Sequence, residues 1–268
     1  MPNAERPATA RPRANVLGVG IDAVDIPAAV QRILDGVRSH VRGYVCVTGV
    51  HGIVEAQRDK RLREILNHSW LTTPDGMPTV WVGRVQGLPI RRVYGPDLML
   101  AVCDAGVARG LRHFFYGGAD GVADALRDRL CARFPGLQVV GTYTPPFRPL
   151  NASEENQLEA LIASARPDII WIGLSTPKQE RFMAQYRRRL DAGLMIGVGA
   201  AFDMHTGRTR QAPRWMQGAG LEWLFRLATE PRRLWRRYLV NNPVFLVRIA
   251  QQWLQPSRYP APPAPEGA

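Results

Sequence analysis

Short apolar runs alternate with longer amphipathic stretches along most of this chain. "NVLGVGI", "GYVCVTG", "SWLTT", "RHFFYGG", "LQVVGTY", "PDIIWIGL" and "GLMIGVGAAF" are compact apolar runs bounded by turn residues, the pattern of strands inside a sheet. Between them, "DIPAAVQRILDGVRS", "HGIVEAQRDKRLREILN", "TVWVGRV", "PDLMLAVCDAGVARG", "DGVADALRDRLCARF", "SEENQLEALIASA" and "KQERFMAQYRRRL" space their apolar residues as helices do. Pro27 sits near the first turn of its helix, and Ser153 with Asn156 reads as a weak capping box. Strand-helix alternation predicts an α/β fold: a mainly parallel sheet with helices on both faces.

The rhythm changes near residue 211, where strands stop. Trp215, Trp223, Trp235 and Trp253 join Leu, Phe and Tyr at helical spacing, with Pro231 and Pro243 expected to interrupt the run. This predicts a basic C-terminal helical appendage (211–255) on an α/β body (15–210). Its apolar stripe could pack on the body or hold a second subunit. The ends, 1–14 and 256–268, are rich in Pro and Ala and are expected to be disordered tails. The first has no apolar h-region and so does not read as a secretory signal. No stretch reaches the ~18 consecutive apolar residues of a membrane span.

Charge sharpens this division. The 268 residues are 46% hydrophobic and 22% charged, an ordinary globular mix, but the net charge is +12. Between Arg208 and Arg258 ten arginines face only Glu222 and Glu230. Such a segment points to a polyanion: an anionic membrane surface, a diphosphate or nucleic acid. The plain alternative is that a chain whose only lysines are Lys60 and Lys178 carries arginine on every wet face. Cys46, Cys103 and Cys131 are odd in number, widely spaced and without CxxC, and read as buried thiols in a reducing cytosol.

Parallel sheets bind ligands outside the carboxyl ends of their strands, so polar groups there are the candidates. They are Thr48, Asp75 in "TPDGMP", Gly117, Gly118 and Gly121 in "FYGGADGVA", the loop "STPKQE" and Asp203 in "GVGAAFD". Asp75 between Pro74 and Gly76 can serve as a general base, or simply as a turn residue. The glycines would admit a phosphate or sugar to a helix N-terminus, or merely supply a tight turn. Ser175 or Thr176 can cap the helix after Pro177. Lys178 and Gln179 then face the strand end, with Gln179 placed for a sugar hydroxyl and Lys178 for negative charge. Glu180 reads as a first-turn partner of the helix dipole rather than a second base. His51 and His205 lack metal-ligand spacing, and neither a P-loop, a dinucleotide fingerprint nor a DxD motif is present, so no metal and no cofactor is expected.

Taken in order, "PDGMPTVW", "FYGGADGVA", "IGLSTPKQE", "GVGAAFD" and "QAPRWMQGAGLEWLFRLATEPRRLWRRYL" resemble the WecG/TagA/CpsF family of bacterial glycosyltransferases over roughly Val16 to Leu254. The resemblance implies a Rossmann-like body and an inverting, metal-independent enzyme of polysaccharide synthesis. It would move a sugar of the N-acetylmannosamine, mannosaminuronic acid or glucose type from a UDP-sugar to a polyprenyl-diphosphate-linked glycan. The enzyme would be cytoplasmic and peripheral on the inner face of the cell membrane. Asp75 falls on the family's proposed base, Thr48 and Gln179 on its other catalytic positions, and Asp203 on the position near the nucleotide. The arginines of the appendage would meet the diphosphate and the anionic membrane: Arg232, Arg233, Arg236 and Arg237 foremost, with Arg214 and Arg226. Many relatives carry asparagine where this chain has Val50, so His51 beside it is a candidate for an altered substrate contact. The competing reading, a nucleic-acid-binding module built on the basic C-terminus, leaves the strand-end residues without a role.

Overall fold

The computed structural model describes residues 11–262; the outer parts of both expected tails lie outside the described residues. The chain opens with a hairpin, β1 (Arg13–Val16) and β2 (Val19–Asp22), followed by α1 (Ile26–Arg38). The body proceeds through β3 (Gly43–Thr48), α2 (Val50–Arg58), α3 (Lys60–Asn67), β4 (Leu71–Pro74), α4 (Met77–Val85) and α5 (Gly95–Val107). It continues with β5 (Arg112–Gly117), α6 (Val122–Arg133), β6 (Gln138–Tyr143), α7 (Ala152–Ala165), β7 (Ile169–Gly173), α8 (Lys178–Tyr186), β8 (Leu194–Gly197) and α9 (Ala201–His205). Three helices end it: α10 (Arg214–Gly218), α11 (Glu222–Thr229) and α12 (Pro231–Leu254).

The six strands β3–β8 form one parallel sheet in the order β4-β3-β8-β7-β5-β6. β3 leads outward to β4 and β5 to β6 in the opposite direction, while β7 and β8 fill the middle. Chain leaving in opposite senses opens a crevice above the carboxyl ends of the central strands. Alternation along each strand feeds two cores. Phe114, Ile170, Ile172 and Cys46 point to one face; Phe115, Trp171, Ile169 and Val45 point to the other. The α/β expectation is met, with helices on both faces of a Rossmann-like sheet.

Several local expectations change. "NVLGVGI" is not one strand but the two arms of the hairpin, because Leu17 and Gly18 both take positive φ (56° and 78°) and reverse the chain. The polar ring that pins this turn is remote in sequence: Gln252 accepts from Leu17 N at 2.8 Å and Asn67 donates to Gly18 O at 2.9 Å. The long helical run after β3 breaks at Asp59, whose carboxylate caps α3 through Leu62 N. The capping box of α7 is Asn151 with Glu154, not Ser153 with Asn156. The strand "GLMIGVGAAF" stops at Gly197. Pro231 opens α12, and Pro243 lies exposed inside it without ending it.

The tails also prove shorter than expected. β1 begins at Arg13, and at the other end Tyr259 is 5% exposed and accepts Asn15 Nδ2 on its carbonyl. Phe245 and Ile249 of α12 join the core beneath the hairpin, so the last helix is built into the body. Of the three free cysteines, Cys46 and Cys103 are buried as expected, and Cys131 is half-buried.

One buried group makes folding pH-dependent. His113 on β5 is fully buried, accepts Trp171 Nε1 at 3.0 Å on Nδ1, and is pushed by burial down to about 4. A depressed imidazole leaves stability intact above its unfolded value of about 6.5 and loses it as pH falls toward the folded value. The chain is therefore expected to lose on the order of 3 kcal/mol from this group between those limits. His113→Asn keeps an acceptor for Trp171 and cannot titrate in that range. Urea unfolding from pH 7 to 4 should show a shallower fall for the variant; equal slopes would remove His113 as a cause.

Candidate functional site

A cavity of about 1020 Å³ occupies the crevice above the strand ends. The structure brings Thr48, His51, Asp75, Gly118, Lys178, Gln179 and Asp203 into its wall, together with Arg226, Arg233 and Arg237 from the last two helices. Gly117 and Gly121 are not in the wall. A Cβ on Gly117 (φ 125°) would come within 2.7 Å of the Gly173 backbone, so this glycine permits close approach of β5 and β7. Gly121 (φ 74°) turns the chain into α6. Arg214, Arg232 and Arg236 also stand outside the lining: Arg214 forms a fork with Asp97, and Arg236 lies over the Trp235 ring.

Asp75 follows directly from β4. Its backbone N–H donates to Thr48 O at 3.1 Å, and Gly95 N donates to its Oδ1 at 3.2 Å. Burial pushes the Asp75 carboxyl up to about 6, against the pull of Arg92 and with the push of Glu222. Its residue is half-buried at the cavity wall, and such burial is how a carboxylate becomes a base near neutrality.

Arg92, Tyr94 and Glu222 went unnoticed in the sequence. Arg92 Nε donates to Asp75 O at 2.6 Å, its guanidinium pairs with Glu222, and it stacks 4.1 Å from the Tyr94 ring centre. In a chain of 33 arginines nothing local marks Arg92. Glu222 did carry a signal, as one of two acids in the basic segment.

The arginines of the last helices divide by compensation. Arg233 and Arg226 both reach Glu230. Arg237 has no carboxylate partner among the described residues, and its Nε and that of Arg226 are buried without an acceptor. Burial lowers the Arg237 guanidinium from its usual value, with Arg226 and Arg233 adding to that and Asp75 opposing it. An arginine remains charged under such a shift, so this wall carries positive charge awaiting an anion.

The loop "STPKQE" is arranged differently from expectation. Pro177 takes the N-cap position of α8 and no side chain caps the helix; Ser175 O instead accepts from Lys178 N and Gln179 N. Lys178 is exposed at the rim. Gln179 is 2% exposed, accepting Gly199 N and donating to Glu180, so most of its amide braces the β8 loop. His51, the candidate for an altered substrate contact, receives Asn241 Nδ2 on Nδ1 at 2.8 Å; burial and Arg237 hold it neutral, at about 4. Glu180 does lie in the first turn of α8, as expected, but it is buried there, 1% exposed.

Chemically, the site offers a base near neutrality, the Arg237 guanidinium without a carboxylate partner among the described residues, and polar strand ends lining the same cavity. Residues 14–259 match the sequence profile of the glycosyl transferase family WecG/TagA/CpsF. The chain is 32% identical over 186 residues to the N-acetylglucosaminyldiphosphoundecaprenol N-acetyl-beta-D-mannosaminyltransferase of Bacillus spizizenii, covering 69% of this chain and 70% of that one. It is 27% identical over 208 residues to the enzyme of the same description from Bacillus subtilis, covering 77% and 79%.

Proposed function

This chain belongs to the WecG/TagA/CpsF family of glycosyl transferases, and from that premise we propose that it moves a sugar from a UDP-sugar to a polyprenyl-diphosphate-linked sugar, with inversion. The product would enter cell-surface polysaccharide. Among the N-acetylmannosamine, mannosaminuronic acid and glucose types of donor, N-acetylmannosamine comes first, because both relatives are named for its transfer.

The observation that carries the reading is Asp75, a carboxylate raised to about 6 in the same cavity wall as Arg226 and Arg237. Asp75 takes the proton of the acceptor hydroxyl, whose oxygen attacks the anomeric carbon as the bond to UDP breaks. The leaving diphosphate gathers charge, which Arg226, Arg237 and Lys178 neutralise. Asp203 and the Gly118 turn face the nucleotide end, and Thr48 and Gln179 shape the sugar end.

The appendage (211–255) then serves two surfaces. Its inner arginines complete the site. Outward it exposes Trp215, Trp235, Leu239, Val247, Trp253 and Leu254 beside Arg232 and Arg236, a mixture suited to the interface of an anionic membrane. No helix among the described residues is long and apolar enough to cross a membrane. The protein works, on this reading, as a peripheral enzyme at the cytoplasmic face.

A panel of UDP-sugars with a lipid-diphosphate-linked N-acetylglucosamine acceptor tests the proposal. UDP-N-acetylmannosamine is expected to be consumed fastest, with a β-linked product and a rate unchanged by EDTA. Absence of transfer from every UDP-sugar would defeat the reading, and a strict Mg²⁺ requirement would defeat its charge-neutralising account.

A further inference from the structure

Two residues of the cavity lining each hold a buried oxygen with no hydrogen-bond partner among the described residues. Glu180 stands in the first turn of α8, 1% exposed, and Thr48 ends β3, 3% exposed. Glu180 Oε1 accepts from Thr176 Oγ1 at 2.9 Å and from Gln179 Nε2 at 3.0 Å. Among the described residues its Oε2 has no hydrogen-bond partner, and neither does Thr48 Oγ1. An unmatched buried oxygen costs stability, and a carboxylate oxygen costs more than most.

Gly52 lies against Thr48 and against Thr176, the residue that holds Glu180. A Cβ there would meet Thr48 Cγ2 at 3.3 Å and Thr176 Cγ2 at 3.6 Å, so the bare glycine lets the β3 end and the β7–α8 loop close together. Thr176 is the residue whose hydroxyl holds Glu180. Thr48 is also the residue whose carbonyl holds the Asp75 backbone. Both residues therefore share the cavity wall with Asp75, and Arg237 is near enough to act on the Glu180 carboxylate. Burial raises the Glu180 carboxyl, while Gln179, its own backbone N–H, Thr176 and Arg237 draw it back toward the ionised form.

A hydroxyl group matches these two atoms: it donates its hydrogen to a carboxylate oxygen and accepts one from a threonine. A phosphate would be repelled by the carboxylate, and an apolar group would leave both oxygens unmet. We propose that Glu180 Oε2 and Thr48 Oγ1 jointly hold one sugar hydroxyl of the substrate, making Glu180 a substrate-binding residue that selects for that hydroxyl. This rests on the sugar-transfer reading above. The hydroxyl belongs to either the donor or the acceptor sugar, both of which meet beside Asp75.

Glu180→Gln keeps the shape and the acceptor for Thr176 and Gln179, and loses the carboxylate oxygen. In the full chain it is expected to raise KM about tenfold for one sugar substrate while leaving calorimetric affinity for UDP alone unchanged. A rise for the UDP-sugar assigns the hydroxyl to the donor; a rise for the lipid-linked sugar assigns it to the acceptor. Tm should hold or rise, since a buried charge without a full set of partners is removed. Thr48→Val should raise the same KM, and the double variant should lose less than the product of the two, because one hydroxyl serves both. Unchanged KM for both substrates overturns the proposal, as does a parallel loss of UDP affinity or a lowered Tm with normal KM. If the wild-type chain transfers sugar and Glu180→Gln is indifferent, only Glu180 loses its role. If the wild type binds no sugar substrate, both readings fall.

Discussion

Asp75→Asn is expected to lower kcat by about 10³-fold while UDP-sugar affinity stays within about twofold. Asparagine is nearly isosteric and can still accept Gly95 N on its side-chain oxygen, so the β4 end keeps its geometry. What it cannot do is take a proton. In the wild type the rate should rise with pH through about 6 and then level, because the carboxyl must be ionised to act and burial holds it there. That rise should be absent from the variant's residual rate.

The same burial gives a second readout of opposite sign. An acid whose folded value lies above its unfolded value favours folding at low pH and opposes it as pH climbs through that window. The cost of ionised Asp75 therefore builds as pH climbs from about 4 to about 6, and Asp75→Asn should be more stable at pH 7.5 by up to about 3 kcal/mol. A variant that turns over normally removes Asp75 as the base. One that is inactive and also less stable points to a purely structural aspartate.

Arg237→Met should be the next most damaging change, lowering kcat/KM by about 10–100-fold, the range set by a charge-assisted hydrogen bond to phosphate. Methionine retains much of the arginine stem's packing against α12's neighbours. The guanidinium it removes has no carboxylate partner among the described residues, so the folded chain loses no ion pair and Tm should not fall. Arg109→Met, at the opposite end of the sheet, is the matched control and should leave turnover unchanged. Equal rates for Arg237→Met and wild type would separate the appendage from the chemistry. Deleting 211–268 is a poorer test, because it strips Phe245, Ile249 and Tyr259 from the core and unfolding would mimic lost chemistry.

Much of this was legible along the chain. Compact apolar runs and helical spacing announced the sheet and its layers, and a proline-aspartate-glycine step after a strand marked Asp75. The excess of arginine near the end marked the segment that lines the site. Individual partners were not legible. Arg92 reaches Asp75 from 17 positions downstream through an irregular stretch, and its identity among many arginines carried no signal. Glu180 looked like any first-turn glutamate until the β7–α8 loop and α12 closed over it. His51 read as a candidate substrate contact, and only the fold showed that Asn241, 190 positions away, takes its Nδ1. The hairpin hid inside one apolar run because residues at the far end of the chain pin its turn.

The sequence alone thus determined most of the elements, a mainly parallel sheet and the strand ends where polar side chains gather, since periodicity and turn chemistry act between near neighbours. Tertiary structure alone decided which of those groups are buried, neutral, paired or left with an open valence. Those properties depend on dielectric surroundings and hydrogen-bond partners supplied by segments far apart in the chain.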